Sequence, residues 1–389
     1  MHQHEKEIEP GSAGLGIAAL STPQPFHRGH LSPSYDLRSP PSQSALLAPF
    51  RRHRRKTSSN MTTSTIPYAE HGALIDRSRT AESKPPANAA LTWPRFRRFM
   101  REPLSEFMGT FILVLFGDGS VAQVLLSKEQ KGNYESIAWG WGIGVMLGVY
   151  TSGISGAHIN PAVTFANCVF RKFPWWKFPI YTVSQILGAF CAAAVVYGDY
   201  KSAIDAYEGG ANIRTVPGYS STATAGIFCT YPAPFMTRTG MVFDQVVCSA
   251  ILMFCIYVLK DDGNLGAGNL VPLGLFFVLF GIGACWGWET GYAINLARDF
   301  GPRLLSYAVG YGPKVWEAGG YYFWIPMVIP FIGCTLGGFL YDLLLFTGES
   351  PINTPFLGFY RVIPGLRRKY EGENWNDYDR KQQNEDSAV

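Results

Sequence analysis

Apolar residues are concentrated in six long runs between residues 104 and 346, and polar residues dominate the chain on both sides of them. A helix that crosses a bilayer needs about 20 mostly apolar residues, and each run comes close to that length or exceeds it. The runs are rich in Gly, Ala and Ser, which let helices approach closely in lipid. The pattern predicts six transmembrane helices, at Leu104–Leu126, Tyr134–Ser152, Lys177–Tyr197, Gly240–Leu259, Leu270–Trp288 and Phe323–Phe346.

Two shorter apolar segments follow the second and the fifth run, at residues 152–170 and 290–309. They align with each other, Gly156 to Val163 against Gly291 to Arg298, and share Ile-Asn at the centre. Each segment occupies the same place in a three-helix half, and because three is odd the halves must have opposite orientations. The sequence therefore predicts an all-α membrane protein with an inverted three-helix repeat and a re-entrant half-helix in each copy. Such repeats place their site near the bilayer midplane.

The residues at the start of each half-helix indicate what this site would attract. Asn160 and Asn295 stand at the N-cap, a position that asparagine favours, and Pro161 follows where a missing N–H costs little. Non-helical backbone at membrane depth must line water or be buried in protein. Two half-helices that meet N-terminus to N-terminus would direct two amide donors and two positive dipole ends to one point. That point would accept a hydroxyl oxygen and repel a cation.

Composition divides the chain into three parts. Residues 1–94 are rich in Ser, Pro, Thr and His and predict a disordered tail. Residues 95–347 would form the membrane domain, and residues 348–389 a second, mostly disordered tail. Six spans put both tails on one side, and the positive-inside rule makes that side the cytoplasm. The basic residues that set this orientation are Arg95, Arg97, Arg98, Arg101, Arg171, Lys172, Lys177, Arg361, Arg367, Arg368 and Lys369.

Enzymatic and metal-dependent functions are disfavoured. The seven cysteines show no CxxC spacing and lie mostly in apolar runs, so they predict packing residues and no metal site or cofactor. A membrane enzyme would have to use His158, Asp118, Asp244 or Glu289, which include no nucleophile–base pair and no HExxH spacing. We predict that the protein is not an enzyme and that it has no nucleic-acid partner.

The motifs GAHINPAVT (156–164) and INLARDFGP (294–302) together resemble the major intrinsic protein, or aquaporin, family over about Glu102 to Phe346. The resemblance implies a homotetramer with one pore per subunit, which passes water or small uncharged solutes such as glycerol. It also implies that Asn160 and Asn295 are paired pore asparagines and that Arg298 lies at the outer constriction. A charge in lipid costs at least about 2.5–3.5 kcal/mol, so we expect Arg298 to face the pore as a donor and cation barrier.

Three further residues indicate the branch of the family. The resemblance places Gly283 where water-selective members have a histidine, and a glycine there would widen the opening. It places Tyr292 where glycerol-conducting members have an aromatic wall. Either Trp139 or Trp141 supplies the fourth wall, since two residues along a helix lie about 200° apart. The alignment favours Trp141. These residues would form an amphipathic slot that fits a polyol, which indicates the aquaglyceroporin, or glycerol-facilitator, branch.

Other residues would support the pore. In family members the carbonyls before each asparagine form a ladder for the permeant. Glu106 would brace the first loop by accepting its backbone N–H groups, and Gln245 is its counterpart in the second half, a weaker acceptor than a carboxylate. Asp244, next to it, should point elsewhere. The ladder carbonyls here would belong to Gly156, Ala157, His158, Gly291, Tyr292 and Ala293.

Three supporting residues leave alternatives open. Leu296 replaces the usual proline but is a good helix former, so the half-helix should survive. The sequence does not predict how this change affects the width of the pore at its midpoint. Asp299 is typical of the glycerol branch, and it could also cap the half-helix near its positive end, since the two roles are compatible. His158 could act as a pH switch, although a structural imidazole under the loop is favoured.

The long basic N-terminal tail resembles extensions on fungal glycerol channels. A run of arginine and lysine at 51–56 precedes Thr57, Ser58 and Ser59, a candidate for kinase phosphorylation or for contact with anionic lipid. An unregulated, solvated tail is equally consistent with this composition.

The sequence thus predicts a multi-pass channel of the plasma membrane for glycerol, other small uncharged polyols and water, which excludes protons and ions. A water-selective pore is one alternative, disfavoured by Gly283 and Tyr292. A non-conducting scaffold or sensor is another.

Overall fold

The computed structural model describes residues 91–354, together with Gly365 and Lys369. Thr57, Ser58, Ser59 and the basic run before them lie outside the described residues, so the predictions made for them stay predictions. Within residues 91–354 the regular structure is helical throughout. The helices are α1 (Thr92–Phe99), α2 (Arg101–Leu126), α3 (Tyr134–Thr151), α4 (Pro161–Phe170), α5 (Lys177–Glu208), α6 (Arg238–Lys260), α7 (Val271–Thr290), α8 (Leu296–Ser306), α9 (Lys314–Tyr321) and α10 (Trp324–Leu344).

The long helices confirm the predicted all-α membrane fold. Five of the described helices are long and apolar enough to cross a membrane: α2, α5, α6, α7 with the short turn before it, and α10. The sixth, α3, begins with the polar turn Tyr134-Glu135-Ser136 and becomes apolar only after it. It packs between α2 and α7. The side chain of Asn133 caps it and accepts a hydrogen bond from the backbone N–H of Ser136.

One helix ends far from its predicted boundary, and another was not predicted. The third span was predicted to end at Tyr197, but α5 continues to Glu208. Lys201 and Asp205 pair one turn apart, with 2.8 Å between Nζ and Oδ2, and Arg214 from the following loop binds Asp205 at 2.5 Å. The apolar pattern therefore ends where α5 leaves the apolar layer of the membrane, whereas the helix itself continues beyond that point. Helix α1, with no buried residue, precedes the first span and was not predicted.

The two halves pack in the same way. Helices α2, α3, α4 and α5 correspond to α6, α7, α8 and α10, and the closest helix pairs are α2 with α5 and α6 with α10. In the first pair, a Cβ on Gly188 would lie 2.2 Å from the carbonyl oxygen of Phe107. In the second, a Cβ on Gly337 would lie 2.1 Å from that of Ala250. Glycine is therefore required at both crossings, as close packing in lipid favours.

The apolar core lies on two sides of the half-helices. One cluster joins α4, α6 and α10, where Ala162, Met253 and Cys334 have no exposed surface. The other packs beneath the segment 209–237, where Ile227 and Phe228 are fully buried. This segment connects α5 to α6 and contacts α8 at Arg298, Asp299 and Arg303, so it becomes part of the site described next.

Candidate functional site

The two half-helices begin with the same N-cap. Asn160 precedes α4 with φ −155° and ψ 122°, and Asn295 precedes α8 with φ −153° and ψ 113°. Each side-chain Oδ1 accepts a hydrogen bond from the backbone N–H two residues on, at 2.9 Å from Ala162 and from Ala297. The cap therefore satisfies one of the N–H groups that a helix start leaves unpaired.

The same asparagines join the two halves. Asn160 Nδ2 donates to the carbonyl oxygen of Ile294 at 2.9 Å, and Asn295 Nδ2 donates to that of Ile159 at 2.9 Å. Each asparagine thus binds the residue that precedes the other one. A side-chain amide has two N–H donors, so one donor on each asparagine stays available beyond this crossing.

The backbone before each asparagine is non-helical and repeats between the halves. Ala157 and Ile159 have φ of 55° and 43°, and their counterparts Tyr292 and Ile294 have 36° and 41°. Left-handed conformations of this kind are costly for residues other than glycine and persist where the surroundings impose them. Gly291, with φ 74°, ends α7 at the start of the second loop.

Four carbonyl oxygens of these loops are free to accept. From the residues that the structure describes, no hydrogen bond reaches the carbonyl oxygen of Ala157, His158, Tyr292 or Ala293. All four residues line one cavity. Buried carbonyls are normally paired or hydrated, so these oxygens are acceptors for whatever enters the cavity.

The cavity is lined by both half-helix loops, and its atom-free space together with the open solvent at its mouths is about 560 Å³. One part of its wall carries polar groups from the asparagines, the loops and Arg298. The rest is apolar and comes from α2, α3, α4, α6 and α7. The aliphatic lining residues from these helices are Leu113, Val145, Val149, Val163, Leu252, Ile256, Leu275 and Leu279. Such a wall suits a ligand with hydroxyl groups on one side and carbon on the other.

Several residues that the sequence assigned to this site do not line the cavity. The Gly156 carbonyl oxygen lies 3.3 Å from Lys260 Nζ, which donates to it. Gly291 is likewise outside the lining, as are the first-turn residues Pro161 and Leu296. Gly283 is covered by the Tyr292 phenol, since a Cβ on this glycine would lie 2.9 Å from both Cζ and Oη of Tyr292. The glycine makes room for the tyrosine and does not by itself widen the opening.

The two tryptophans of α3 face different surroundings. Trp141 is 3% exposed and lines the cavity, whereas Trp139 is 45% exposed. The Trp139 ring lies 5.1 Å from the rings of Phe276 and Phe280 on α7. Of the two alternatives left open by the sequence, the structure places Trp141 on the cavity side.

Arg298 lines the cavity and is 7% exposed. Its Nη1 donates to the carbonyl oxygen of Phe228 at 3.1 Å. Its Cζ lies 4.0 Å from the centroid of the Trp141 ring, within the range of a cation–π contact. The guanidinium is therefore fixed from two sides while it faces the cavity. The Phe228 carbonyl could not be foreseen, because it lies 70 residues from Arg298 in the chain.

Glu106 braces the first loop from α2. Its two carboxylate oxygens accept the backbone N–H groups of His158 at 3.0 Å and Ile159 at 2.7 Å. Gln185 of α5 adds a third bond, from Nε2 at 2.7 Å. Nothing in the sequence singled out this glutamine, since it is 79 residues away from Glu106.

Comparison with known proteins assigns this arrangement to a family. The family model described as Major intrinsic protein matches residues 95–341. The chain belongs to the major intrinsic protein family. Its members are membrane channels, and the fold is the aquaporin fold predicted from the sequence.

The relatives of this major intrinsic protein include fungal proteins. The chain is 69% identical over 298 residues to Aquaglyceroporin-9 of Botryotinia fuckeliana, a match that covers 77% of this chain and 65% of the relative. It is 66% identical over 287 residues to Probable aquaglyceroporin-2 of Gibberella zeae, which covers 74% and 85%. It also resembles the X-ray structure of the aquaglyceroporin from Plasmodium falciparum, with a TM-score of 0.57, 31% identity and coverage of 64% of this chain and 97% of that one.

In the second half of this major intrinsic protein, Gln245 takes the place that Glu106 has in the first. Its Oε1 accepts the backbone N–H of Ile294 at 3.0 Å, and its Nε2 donates to the Thr290 hydroxyl at 2.7 Å. The same hydroxyl donates to Asp244, so this acid is linked to Gln245 through the threonine. One loop N–H is held here, compared with two in the first half.

Asp299 contacts the segment 209–237 and does not line the cavity. Its Oδ2 accepts the backbone N–H of Thr230 at 2.8 Å, and its Oδ1 accepts Arg303 Nε at 2.8 Å. Arg303 also donates to the carbonyl oxygens of Thr230 at 2.7 Å and Val315 at 2.6 Å. The spacing of Asp299 and Arg303, four residues apart on a helix, was the available signal for this pair.

The His158 imidazole is held on both of its nitrogens. Nδ1 lies 3.1 Å from the Thr164 hydroxyl and Nε2 lies 3.3 Å from Asn167 Nδ2. The rings of Phe173 and Tyr181 lie 4.7 Å and 5.4 Å from it. This enclosure is that of a packed structural imidazole.

Proposed function

We propose that this chain is a passive channel that passes glycerol and other small uncharged polyols, together with water, and excludes protons and ions. The observation that carries the proposal is the joint placement of Arg298, Trp141 and Tyr292 on one cavity. A guanidinium can donate to two hydroxyls at once, while the rings cover the carbon atoms of the same solute. Water alone has no carbon face for these rings to contact.

The asparagines and the loop carbonyls supply the remaining contacts. Asn160 and Asn295 would each donate the amide hydrogen that the crossing bond leaves over. The free carbonyls of Ala157, His158, Tyr292 and Ala293 would accept the solute's hydroxyl hydrogens in turn. The positive ends of α4 and α8 would oppose a cation at the point where they meet. The names of the fungal relatives support the same branch.

The assembly and the surroundings of the channel are a further part of the proposal. We propose a homotetramer in the plasma membrane, with residues 95–347 as the channel domain in each copy. Large apolar side chains are exposed along α5, among them Val183, Leu187 and Val195, and these would face lipid or neighbouring copies. The arginines of α1 and the Arg171–Lys172 pair would lie in the cytoplasm with both termini. The two tails, 1–94 and 348–389, would be mostly disordered, and a kinase would act on Thr57, Ser58 or Ser59.

Stopped-flow light scattering of reconstituted vesicles tests the proposed function. Vesicles that contain the purified protein are mixed rapidly with a hyperosmotic solution of glycerol or of sorbitol. Vesicles without protein are treated in the same way as the control. We expect fast shrinkage and then fast re-swelling in glycerol. Fast shrinkage with the slow re-swelling of empty vesicles would indicate a water-selective pore. Shrinkage and re-swelling that both match empty vesicles would indicate a non-conducting scaffold or sensor.

A further inference from the structure

We propose that Asp118 is the counter-ion of Arg298 and that it sets the charge that a cation meets at the constriction. This assignment rests on the proposed channel function. It makes Asp118 a positioning residue for the pore, although it does not line the cavity itself.

Asp118 lies on α2 and has no exposed surface. Neither of its carboxylate oxygens accepts a hydrogen bond from any residue that the structure describes. A buried, unbonded carboxylate is strongly disfavoured unless an opposite charge compensates it. Arg298 supplies that charge, with Nη1 4.0 Å from Oδ1 of Asp118.

The other charges nearby already have partners. The charged groups that act on Asp118 come from α8 and are Arg298 and Asp299. Asp299 is bound to Arg303, with 2.8 Å between Oδ1 and Nε, which leaves Asp118 as the acid that can compensate Arg298 from α2. When all four side chains are ionised, they carry no net charge.

The geometry separates the charges of Arg298 and Asp118. Arg298 and Trp141 line the cavity, whereas Asp118 does not. Helix α2 comes close at this point, since a Cβ on Gly117 would lie 2.3 Å from the Trp141 ring. The same ring lies beneath the guanidinium. The carboxylate therefore reaches Arg298 from the α2 side, while the guanidinium faces the solute.

The position of Asp118 behind Arg298 changes the expected effect of removing the arginine on cation leak. With both residues present, a cation meets the guanidinium first and the carboxylate lies behind it. Without Arg298, the space that the guanidinium leaves would fill with water, and a hydrated Asp118 carboxylate beside the lumen would attract cations. The leak in an Arg298→Ala channel would then have two causes, the lost barrier and the exposed acid.

A double-mutant cycle separates these causes. Arg298→Ala, Asp118→Asn and the double variant are reconstituted, and the K⁺ leak and glycerol flux are measured. Asparagine keeps the shape of the acid and removes its charge. We expect the double variant to leak about tenfold less K⁺ than Arg298→Ala, a coupling within the range for contacting residues. Asp118→Asn alone should leak no more than the wild type.

The control is Glu102→Gln, which removes an acid at the other end of α2, where Glu102 binds Lys177 at 2.7 Å. Added to Arg298→Ala, it should leave the leak unchanged. A double variant of Asp118 and Arg298 that leaks as much as Arg298→Ala alone would overturn the proposal.

A second measurement does not depend on whether the double variant folds. Measured from acidic to alkaline pH, the K⁺ leak of Arg298→Ala should rise where Asp118 loses its proton, because only the ionised acid attracts cations. A leak that is independent of pH would contradict the assignment. If the wild type passed no glycerol, the proposed function would fail, while the leak comparison would still decide the role of Asp118.

Discussion

Asn160 and Asn295 each hold the loop that carries the other: the crossing bonds from Nδ2 to the carbonyl oxygens of Ile294 and Ile159 are both 2.9 Å long. Each side chain also caps its own half-helix. The two asparagines therefore have a structural role that does not depend on a solute.

Replacement of either asparagine by alanine should lower thermal stability, and by similar amounts because the contacts are equivalent. Loss of an N-cap alone typically costs ~1 kcal/mol, and each variant also loses the crossing bond. The exposed cap Asn133 of α3 is the control, and Asn133→Ala should cost less. The measurement is the unfolding midpoint in detergent. Equal midpoints for all three variants would contradict the structural role of the crossing.

Trp141→Ala should admit larger polyols, because the ring forms one wall of the cavity. Trp139→Ala should leave the size limit unchanged, since that ring packs against α7 on the outside. Vesicle re-swelling in glycerol, erythritol and ribitol measures the limit for each variant. If Trp139→Ala shifted the size limit and Trp141→Ala did not, the indole of Trp139 would be the one that faces the pore.

Gly283→Ala should displace the Tyr292 ring, because the added Cβ would lie 2.9 Å from its Cζ and Oη. We expect altered glycerol flux, restored at least in part by Gly283→Ala combined with Tyr292→Ala. Gly281→Ala, two residues away on α7, is the control, since a Cβ there has no atom within 4 Å. Flux unaltered in Gly283→Ala would show that the phenol has room to move.

Leu296→Pro should fold and conduct, because the first helical position tolerates proline. Ala297→Pro should be far more damaging, since it removes the N–H that donates to Asn295 Oδ1 at 2.9 Å. The two variants are compared by the yield of folded protein after size-exclusion chromatography and by their glycerol flux. Similar behaviour would mean that the N-cap of α8 contributes little.

Much of the fold could be predicted because its signals are local. The length of each apolar run predicted a span, and Asn160 with Pro161 predicted a half-helix start. The end of α5 was missed because hydropathy reports depth in the membrane, while Lys201 and Asp205 continue the helix by pairing along it.

The site was harder to predict where it depends on contacts between distant residues. Thr230 and Asp299 are 69 residues apart, and no pattern within either segment indicates the other. Gly283 shows a second difficulty. A comparison at one position predicted an open corner, but the space is filled by Tyr292, so the shape depends on the pair. The functional roles of these residues stay predictions until flux is measured.

The segment 209–237 reaches both arginines of α8, through the Phe228 oxygen for Arg298 and the Thr230 oxygen for Arg303. The surroundings of these arginines are therefore assembled from a helix and a connecting stretch that have no sequence signal in common. A chimera that exchanged α8 between two relatives without this stretch would inherit the arginines without the carbonyl oxygens that hold them.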